Sequence, residues 1–484
     1  MAGLHDLSAL DQAAAIRSGL TSPTELVEHY LGRVAALSDT VGAFVTVIGD
    51  AARSEARAAT QRVTTARKEG TAAALPPLFG VPTAIKDLNL TCGVPTKLGS
   101  LAFADFVPSV DDHVVTLLRV AGTISLGKTN VPELGAPCYT EPDPSIAPPA
   151  RTPWDLTRSA GGSSGGAGAA VAAGLVPFAQ GSDGGGSIRI PASLNGLVGV
   201  KVSRGRVSNG PVSGDLTGLA WSGPLARTVA DAAAMLDAMA VVPQPGDPHW
   251  APPLPAGQTF LGHAVAGLRG RVRPLRIGRY LDNVLGAPVH QDCRAAWEDA
   301  SSRLAALGHE VVDVPTPELG GLFASFMVLW GVAFAAVPVA PDREDLLRPL
   351  TRMLRERGKA TSAIAFAAAI GAVQLATRAH IAATAVYDVV LTPTLAQPPL
   401  PVGALRDDDD PAEDLRRQGR FTPYTAVYNV TGQPAVSLPL HVSDSGRPIG
   451  VQLVGRPGDE ATLFRLAGQL EAAHPWSHRH PDLW

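Results

Sequence analysis

Lysine is scarce in this sequence. Of its 40 basic residues only six are lysine, at positions 68, 86, 97, 128, 201 and 359, and the rest are arginine. Arginine stays charged, so it cannot serve where a basic side chain must give up its proton. Charge of either sign is thin: Asp, Glu, Lys and Arg make up 17% of the chain. The net charge of −4 leaves no electrostatic footprint for nucleic acid, and no nucleic-acid partner is expected. Cysteine occurs three times, as Cys92, Cys138 and Cys293. Three cannot all pair and none forms a CxxC, which suits a reducing, cytoplasmic location. No grouping of His, Cys and acidic residues has metal-ligand spacing, so no metal or other cofactor is expected. The opening residues, MAGLHDLSALDQ, carry acids and no basic stretch ahead of an apolar core, unlike a signal peptide. No long polar linker breaks the chain. One large domain is therefore expected, although 484 residues would allow two or three.

What the sequence has in plenty is glycine beside serine. Residues 161–166 read GGSSGG and residues 181–187 read GSDGGGS. Glycines around a serine let backbone N–H groups approach a substrate oxygen that a Cβ would hold off. Ser163 and Ser187 are placed to face each other across one site. A serine hydroxyl is a poor nucleophile without a base. The base suggested by the sequence is Lys86, which closes the apolar, strand-like run LFGVPTAIK at 78–86. Burial disfavours an ammonium and lowers its pKa. Starting from ~10.4, neutrality at pH 7 takes roughly 4–5 kcal/mol, which a buried site can supply.

At these residues the chain resembles the amidase signature family. The matching segments are Lys86-Asp87, GGSSGG at 161–166 and GSDGGGSIRIPA at 181–192, flanked by GKTN at 127–130 and NVTGQP at 429–434. The resemblance covers most of the chain. It implies a Ser-Ser-Lys triad, with Ser187 as nucleophile, Ser163 as proton relay held by a cis peptide bond, and Lys86 as general base. The implied oxyanion hole is built from the N–H groups of Gly184, Gly185, Gly186 and Ser187. The implied reaction is hydrolysis of a carboxamide, through an acyl-enzyme on Ser187, to an acid and ammonia or an amine. The partner is then a small-molecule amide, and a homodimer is compatible with the resemblance. Position 184, usually a residue with a side chain in the family, is glycine here, which bears on the shape of the acyl pocket.

Rival readings of the same residues are weaker. A flexible Gly/Ser linker does not fit the small apolar residues interleaved at 167–173. A phosphate-cradling loop fails because no Gly-Lys-[Ser/Thr] follows either cluster. Ser164 is expected to support the site by a hydrogen bond, and Asp87, Asp183 and Arg189 to position its loops. Lys128 and Lys201 read as satisfied structural or surface lysines, and Cys138 as a buried thiol near the site. Three other activities share the motif: the glutaminase subunit of a tRNA-dependent amidotransferase, an acyl transferase or esterase, and a non-catalytic binding scaffold.

Along the chain, helix and strand signals alternate, which predicts an α/β fold. The resemblance implies its form: a single domain with one mixed, twisted sheet covered by helices on both faces. The expected parts are a helical segment at 1–75, a signature core at 76–230, and a remainder at 231–484 with a variable substrate-pocket region at about 315–425. Ser22-Pro23-Thr24-Glu25 is a capping box that starts a helix running to about residue 37. Another helix should follow Asp111-Asp112, then a strand at 123–126, a helix at 163–174 and a strand at 175–180. Ser187 should open a further helical turn, whose dipole would favour a nearby oxyanion. Strands at 435–442 and 449–455 should form a hairpin ahead of a helix at about 459–473. Residues 319–341 carry no charge. They are read as a buried helix lining an apolar substrate channel, rather than a membrane span or a peripheral membrane contact. Residues 406–417, RDDDDPAEDLRR, are read as a solvated loop.

Overall fold

The computed structural model describes residues 3–212, 216–240, 246–317 and 321–484. Eleven strands build one mixed sheet: β1 Phe44–Val47, β2 Pro82–Lys86, β3 Ile124–Thr129, β4 Phe178–Asp183, β5 Val198–Lys201, β6 Trp221–Ala226, β7 Arg276–Arg279, β8 Glu310–Asp313, β9 Val389–Pro393, β10 Ala435–Val442 and β11 Pro448–Gly455. Their order is β1-β3-β2-β4-β6-β5-β10-β11-β9-β7-β8. Strands β3, β2 and β4 run parallel, as do β9, β7 and β8, and antiparallel pairings join the two groups from β4 to β9. Because strands from both halves of the sequence share this sheet, the chain forms one α/β domain.

Alternate residues of a strand point to opposite faces. In β2, β5, β6, β9 and β11 every residue is buried, so both faces are covered. Helices Arg189–Asn195, Gln291–Ala306 and Glu460–Ala473 all pack on β11. The main core runs from the first helices, through Leu26 and Tyr30, across Phe178 and Leu225 to Phe464 and Leu470.

Several elements fall where the sequence puts them. Ser22 and Glu25 exchange capping-box hydrogen bonds at the head of Pro23–Val41. The hairpin and the last helix also match, with Asp459 capping the latter. Others shift. The helix expected at 163–174 spans Gly165–Ala172, and the strand expected at 175–180 is β4 at Phe178–Asp183. The strand expected at 123–126 extends to Thr129. The loop reading of 406–417 is wrong from Pro411 onward, because Pro411–Phe421 is a helix. Asp410 caps it by accepting the N–H groups of Ala412 and Glu413, Arg417 pairs with Glu413 one turn away, and Asp414, Gln418 and Phe421 face inward. The acidic run is thus a cap and one polar face rather than a solvated string.

The uncharged segment becomes the helix Leu322–Ala335, while its residues 319 and 320 lie outside the described residues. A second apolar helix, Ala363–Thr384, was not singled out by sequence. It is the one helix among the described residues long and apolar enough to cross a membrane, and most of it is exposed rather than packed in the core.

The helix Glu460–Ala473 carries a buried carboxyl, Glu471, which accepts the Val229 N–H at 3.0 Å. Burial raises its pKa to about 8, with a smaller push from the Asp231 carboxylate. A carboxyl raised this way stabilises the fold fully below its ordinary 4.5 and loses that contribution as the pH climbs through about 8. Glu471→Gln keeps an acceptor for Val229 and removes the titration. In thermal melts it should unfold at a higher temperature than wild type at about pH 9, and at a similar temperature at about pH 5.

Candidate active site

Strand β2, an interior strand between β3 and β4, ends on Lys86. Its side chain is fully buried, and Nζ lies 2.8 Å from Ser163 Oγ, 2.9 Å from Ser182 Oγ and 3.1 Å from the Ser182 carbonyl. Burial lowers the Lys86 pKa to about 7, against the opposing pull of Asp183. A neutral amine has two N–H donors and one lone pair. The Ser182 carbonyl can only accept, so it fixes one N–H. If Ser182 Oγ takes the second, the lone pair faces the Ser163 hydroxyl. Sequence reasoning did not single out Ser182, whose only signal is its place beside Asp183 in the glycine-rich motif.

Ser163 follows a cis Gly162–Ser163 peptide bond and precedes the helix Gly165–Ala172. Ser164 supports the arrangement, as expected: its hydroxyl donates to the Ser182 carbonyl and accepts the Ser182 N–H. Its own N–H donates to the Ser187 carbonyl at 3.2 Å, which ties the two glycine clusters together. Ser187 lies two residues ahead of the short helix Arg189–Asn195 rather than opening it. Among the described residues Ser187 Oγ has no hydrogen-bond partner, and Ser187 lines the large cavity described below.

The loop carrying Ser187 is organised by an ion pair. Arg189 and Asp183 are both fully buried, joined by Nε to Oδ2 at 2.9 Å and Nη2 to Oδ1 at 2.8 Å. Burial alone would raise Asp183, but the Arg189 guanidinium and the Asn429 amide hold it well below the usual carboxylate range. Asp183 also accepts the N–H groups of Gly186 and Ile188. This corrects one expectation: the Gly186 N–H is already bonded to Asp183 Oδ1 at 2.8 Å. The N–H groups of Gly184, Gly185 and Ser187 have no protein partner among the described residues. Gly186 itself is obligatory on two counts, a φ of 134° and Thr425 Oγ1 standing 2.5 Å from where a Cβ would sit. Thr425 Oγ1 donates to the Gly185 carbonyl, and Arg189 Nη1 reaches the Thr425 carbonyl and Gln452 Oε1. Thr425 and Gln452 were not identified from the sequence, since their contacts cross more than 230 positions.

Lys128 and Lys201 are buried and hydrogen-bonded elsewhere in the fold. Lys128 donates to the Asn89 carbonyl and Thr96 Oγ1 and stands 3.5 Å from Asp87. Lys201 is buried and donates to the Val202 carbonyl, with burial and then the Arg189 charge lowering its pKa to about 7.

A cavity of about 690 Å³ opens beside Ser187. Its walls come from 136–138, from the Ser187 loop, from Val284 and Leu285, from the helix Leu322–Ala335, and from residues 415–430. No Asp, Glu, Lys, Arg or His is among the described lining residues. Phe326, Met327 and Trp330 contribute from one face of Leu322–Ala335, a helix that lines the cavity but is only partly buried, rather than the buried helix expected. Cys138 borders the cavity and is mostly buried, its thiol pushed well up by burial. Gln418 holds the Cys138 N–H, so the unforeseen helix Pro411–Phe421 fixes this wall.

A single α/β domain with a buried lysine, a glycine-rich serine loop and an apolar cavity defines a hydrolytic enzyme of the amidase class. The chain belongs to the Amidase family, whose model matches residues 25–464. It is 39% identical to the putative amidase AmiB2 of Mycobacterium bovis, over 98% of both chains. It is 35% identical to the 6-aminohexanoate-cyclic-dimer hydrolase of Pseudomonas sp. strain NK87, over 98% of this chain and 96% of that one. A solved structure of a 6-aminohexanoate cyclic dimer hydrolase superposes with a TM-score of 0.88 at 33% identity, covering both chains completely. A bacterial aryl acylamidase of the amidase signature enzymes superposes with a TM-score of 0.85 at 26% identity, over 98% and 97% of the two chains.

Removing one partner of the buried pair should be costly, since it strands the other charge. Arg189→Ala is expected to lose about 3–5 kcal/mol of stability in urea unfolding, together with amide turnover.

Proposed function

We propose that this amidase hydrolyses uncharged, apolar carboxamides, including aryl ones, through an acyl-enzyme on Ser187. The observation that carries the mechanism is the buried Lys86 amine, 2.8 Å from Ser163 Oγ, its pKa lowered to about 7 by burial. Ser187 Oγ attacks the amide carbonyl as its proton passes to Ser163 Oγ and the Ser163 proton passes to Lys86 Nζ. The new C–O bond leaves a tetrahedral oxyanion, which the free N–H groups of Gly184, Gly185 and Ser187 receive. Each such donor contributes roughly 10²–10³ in rate. An amide nitrogen leaves readily only when protonated. The Lys86 ammonium therefore returns its proton through Ser163 to that nitrogen as the C–N bond breaks. Water then attacks the Ser187 ester by the same relay and releases the acid. No step calls on a cofactor or metal.

The cavity supports the substrate class. A free amino acid such as glutamine would bring an ammonium and a carboxylate into walls with no opposite charge, at a large desolvation cost. This weighs against the amidotransferase glutaminase reading. The relatives named for a cyclic dimer of 6-aminohexanoate and for aryl acylamides fit the same preference. A cytoplasmic location goes with the three unpaired cysteines.

Ammonia release from benzamide, heptanamide and free glutamine tests the reading, with Ser187→Ala and Lys86→Arg in parallel. The two apolar amides should turn over, glutamine should not, and both variants should be inactive. Lys86→Arg keeps the charge but cannot accept a proton, so near-normal turnover by it would end the neutral-base role. The base works deprotonated. In wild type kcat/KM should therefore rise with pH through about 7 and level off above it. Ser182→Ala leaves Lys86 in place but frees its lone pair to turn. We expect kcat to fall by roughly 10- to 100-fold, with KM little changed, in steady-state assays of the same amides.

A further inference from the structure

Position 184 is glycine for reasons of space rather than backbone. Its φ is not in the left-handed region, unlike that of Gly186, so an ordinary side chain could adopt its conformation. A Cβ there would instead stand 3.2 Å from Cη2 and Cζ3 of Trp330 and 3.3 Å from Ala220 Cβ. The indole thus seats directly on the loop that carries the free N–H groups. Its neighbour Phe326 touches the same loop, 3.7 Å from a Cβ built on Gly185.

The indole has little room to retreat. It stacks on Phe326 with ring centres 5.3 Å apart and planes 22° from parallel, and Phe334 meets it edge-on at 5.0 Å. The helix carrying all three rings is pinned from behind. A Cβ on Gly358 would lie 2.1 Å from the Gly331 carbonyl, so the two helix backbones are in direct contact. Arg355 donates to the carbonyls of Phe334 and Val337 and is held by Glu344, which fixes the end of the same helix.

The cavity also says which half of a substrate meets these rings. Its lining includes Gly185 and Ser187 but not Lys86, Ser163 or Ser182. The leaving nitrogen must face the Lys86–Ser163 relay to receive its proton. The acyl group therefore extends into the cavity, along Phe326 and Trp330.

We propose that Gly184 and Trp330 act as one specificity-determining unit, in which the missing side chain at 184 seats the indole as a flat wall that selects planar aryl acyl groups over flexible alkyl ones. This rests on the acyl-enzyme reading above. A flat ring lays one whole face against such a wall at small entropic cost, whereas an alkyl chain must freeze its rotations to do the same.

The test compares kcat/KM for benzamide with that for heptanamide, which has the same number of carbons. Taking the ratio cancels any uniform loss in the oxyanion loop. Wild type should favour benzamide. Gly184→Val, which adds bulk without a new hydrogen-bonding group, and Trp330→Ala should each reduce that preference by about tenfold. Gly184→Ala should give a smaller loss in the same direction, and it serves if the valine variant folds poorly. In the Gly184→Val/Trp330→Ala double variant, the loss should not exceed that of Trp330→Ala alone, because both act through the indole. A wild-type preference for heptanamide, an unchanged ratio in Gly184→Ala and Trp330→Ala, or losses that multiply in the double variant would overturn the proposal. Turnover that survives Ser187→Ala would instead fail the underlying acyl-enzyme reading.

Discussion

The site depends on the buried Asp183–Arg189 pair. The pair ties the end of β4 to the Ser187 loop and to the segments around Thr425, Asn429 and Gln452. Asp183 ends β4, directly after Ser182, and its carboxylate gathers the N–H groups of Gly186 and Ile188 into the turn that carries Ser187. Arg189 then reaches outward to Thr425, Asn429 and Gln452, on the segments that close the cavity and on β11. Two buried charges are costly to desolvate, and a pair survives only when its remaining hydrogen-bonding capacity is filled. Here Asn429 donates to both the carboxylate and the carbonyl of Asp183, so the requirement is met.

The same pair bears on the base. Burial is what brings Lys86 to about 7, and the nearby Asp183 charge works against it. An Asp183 without its guanidinium would stabilise the ammonium more strongly and keep the lysine charged. Arg189 therefore acts on Lys86 at one remove, by absorbing the field of the carboxylate. Lys201, buried in the same neighbourhood, is lowered by burial and then by Arg189. The paucity of lysine in the sequence matches this economy: of the six, the three at 86, 128 and 201 are buried.

Much of the candidate site was legible in sequence because it is local: Ser163, Ser164, Asp183, Ser187 and Arg189 lie within two short motifs. Lys86 was legible from its apolar run, since a charged residue ending a buried strand must be paired or neutral. Contacts that close over hundreds of positions were not legible. Thr425 and Gln452 carry no local sign of facing Arg189, and Ser182 looks like any small strand residue. The Gly186 N–H was misjudged for a related reason: a motif names the donors in a loop but not which of them a neighbouring carboxylate has already taken. At 406–417 charge was mistaken for solvation, when a cap followed by a proline is equally a helix start.

The cavity escaped the sequence in a different way. Its walls come from five separated segments, including Val284 and Leu285, and each alone reads as ordinary core or surface. Periodicity shows that Phe326, Trp330 and Phe334 share a helix face, but not that the face meets a glycine loop 140 positions earlier in the chain. That meeting divides the labour in the molecule. The sheet side holds the buried lysines and the Asp183–Arg189 pair. On the helix side, the described lining of the cavity is apolar and carries no charge. A change in the helical wall can therefore reshape the cavity without disturbing the burial that lowers the Lys86 pKa. A change in the sheet side has no such freedom, because every charge there is another group's partner.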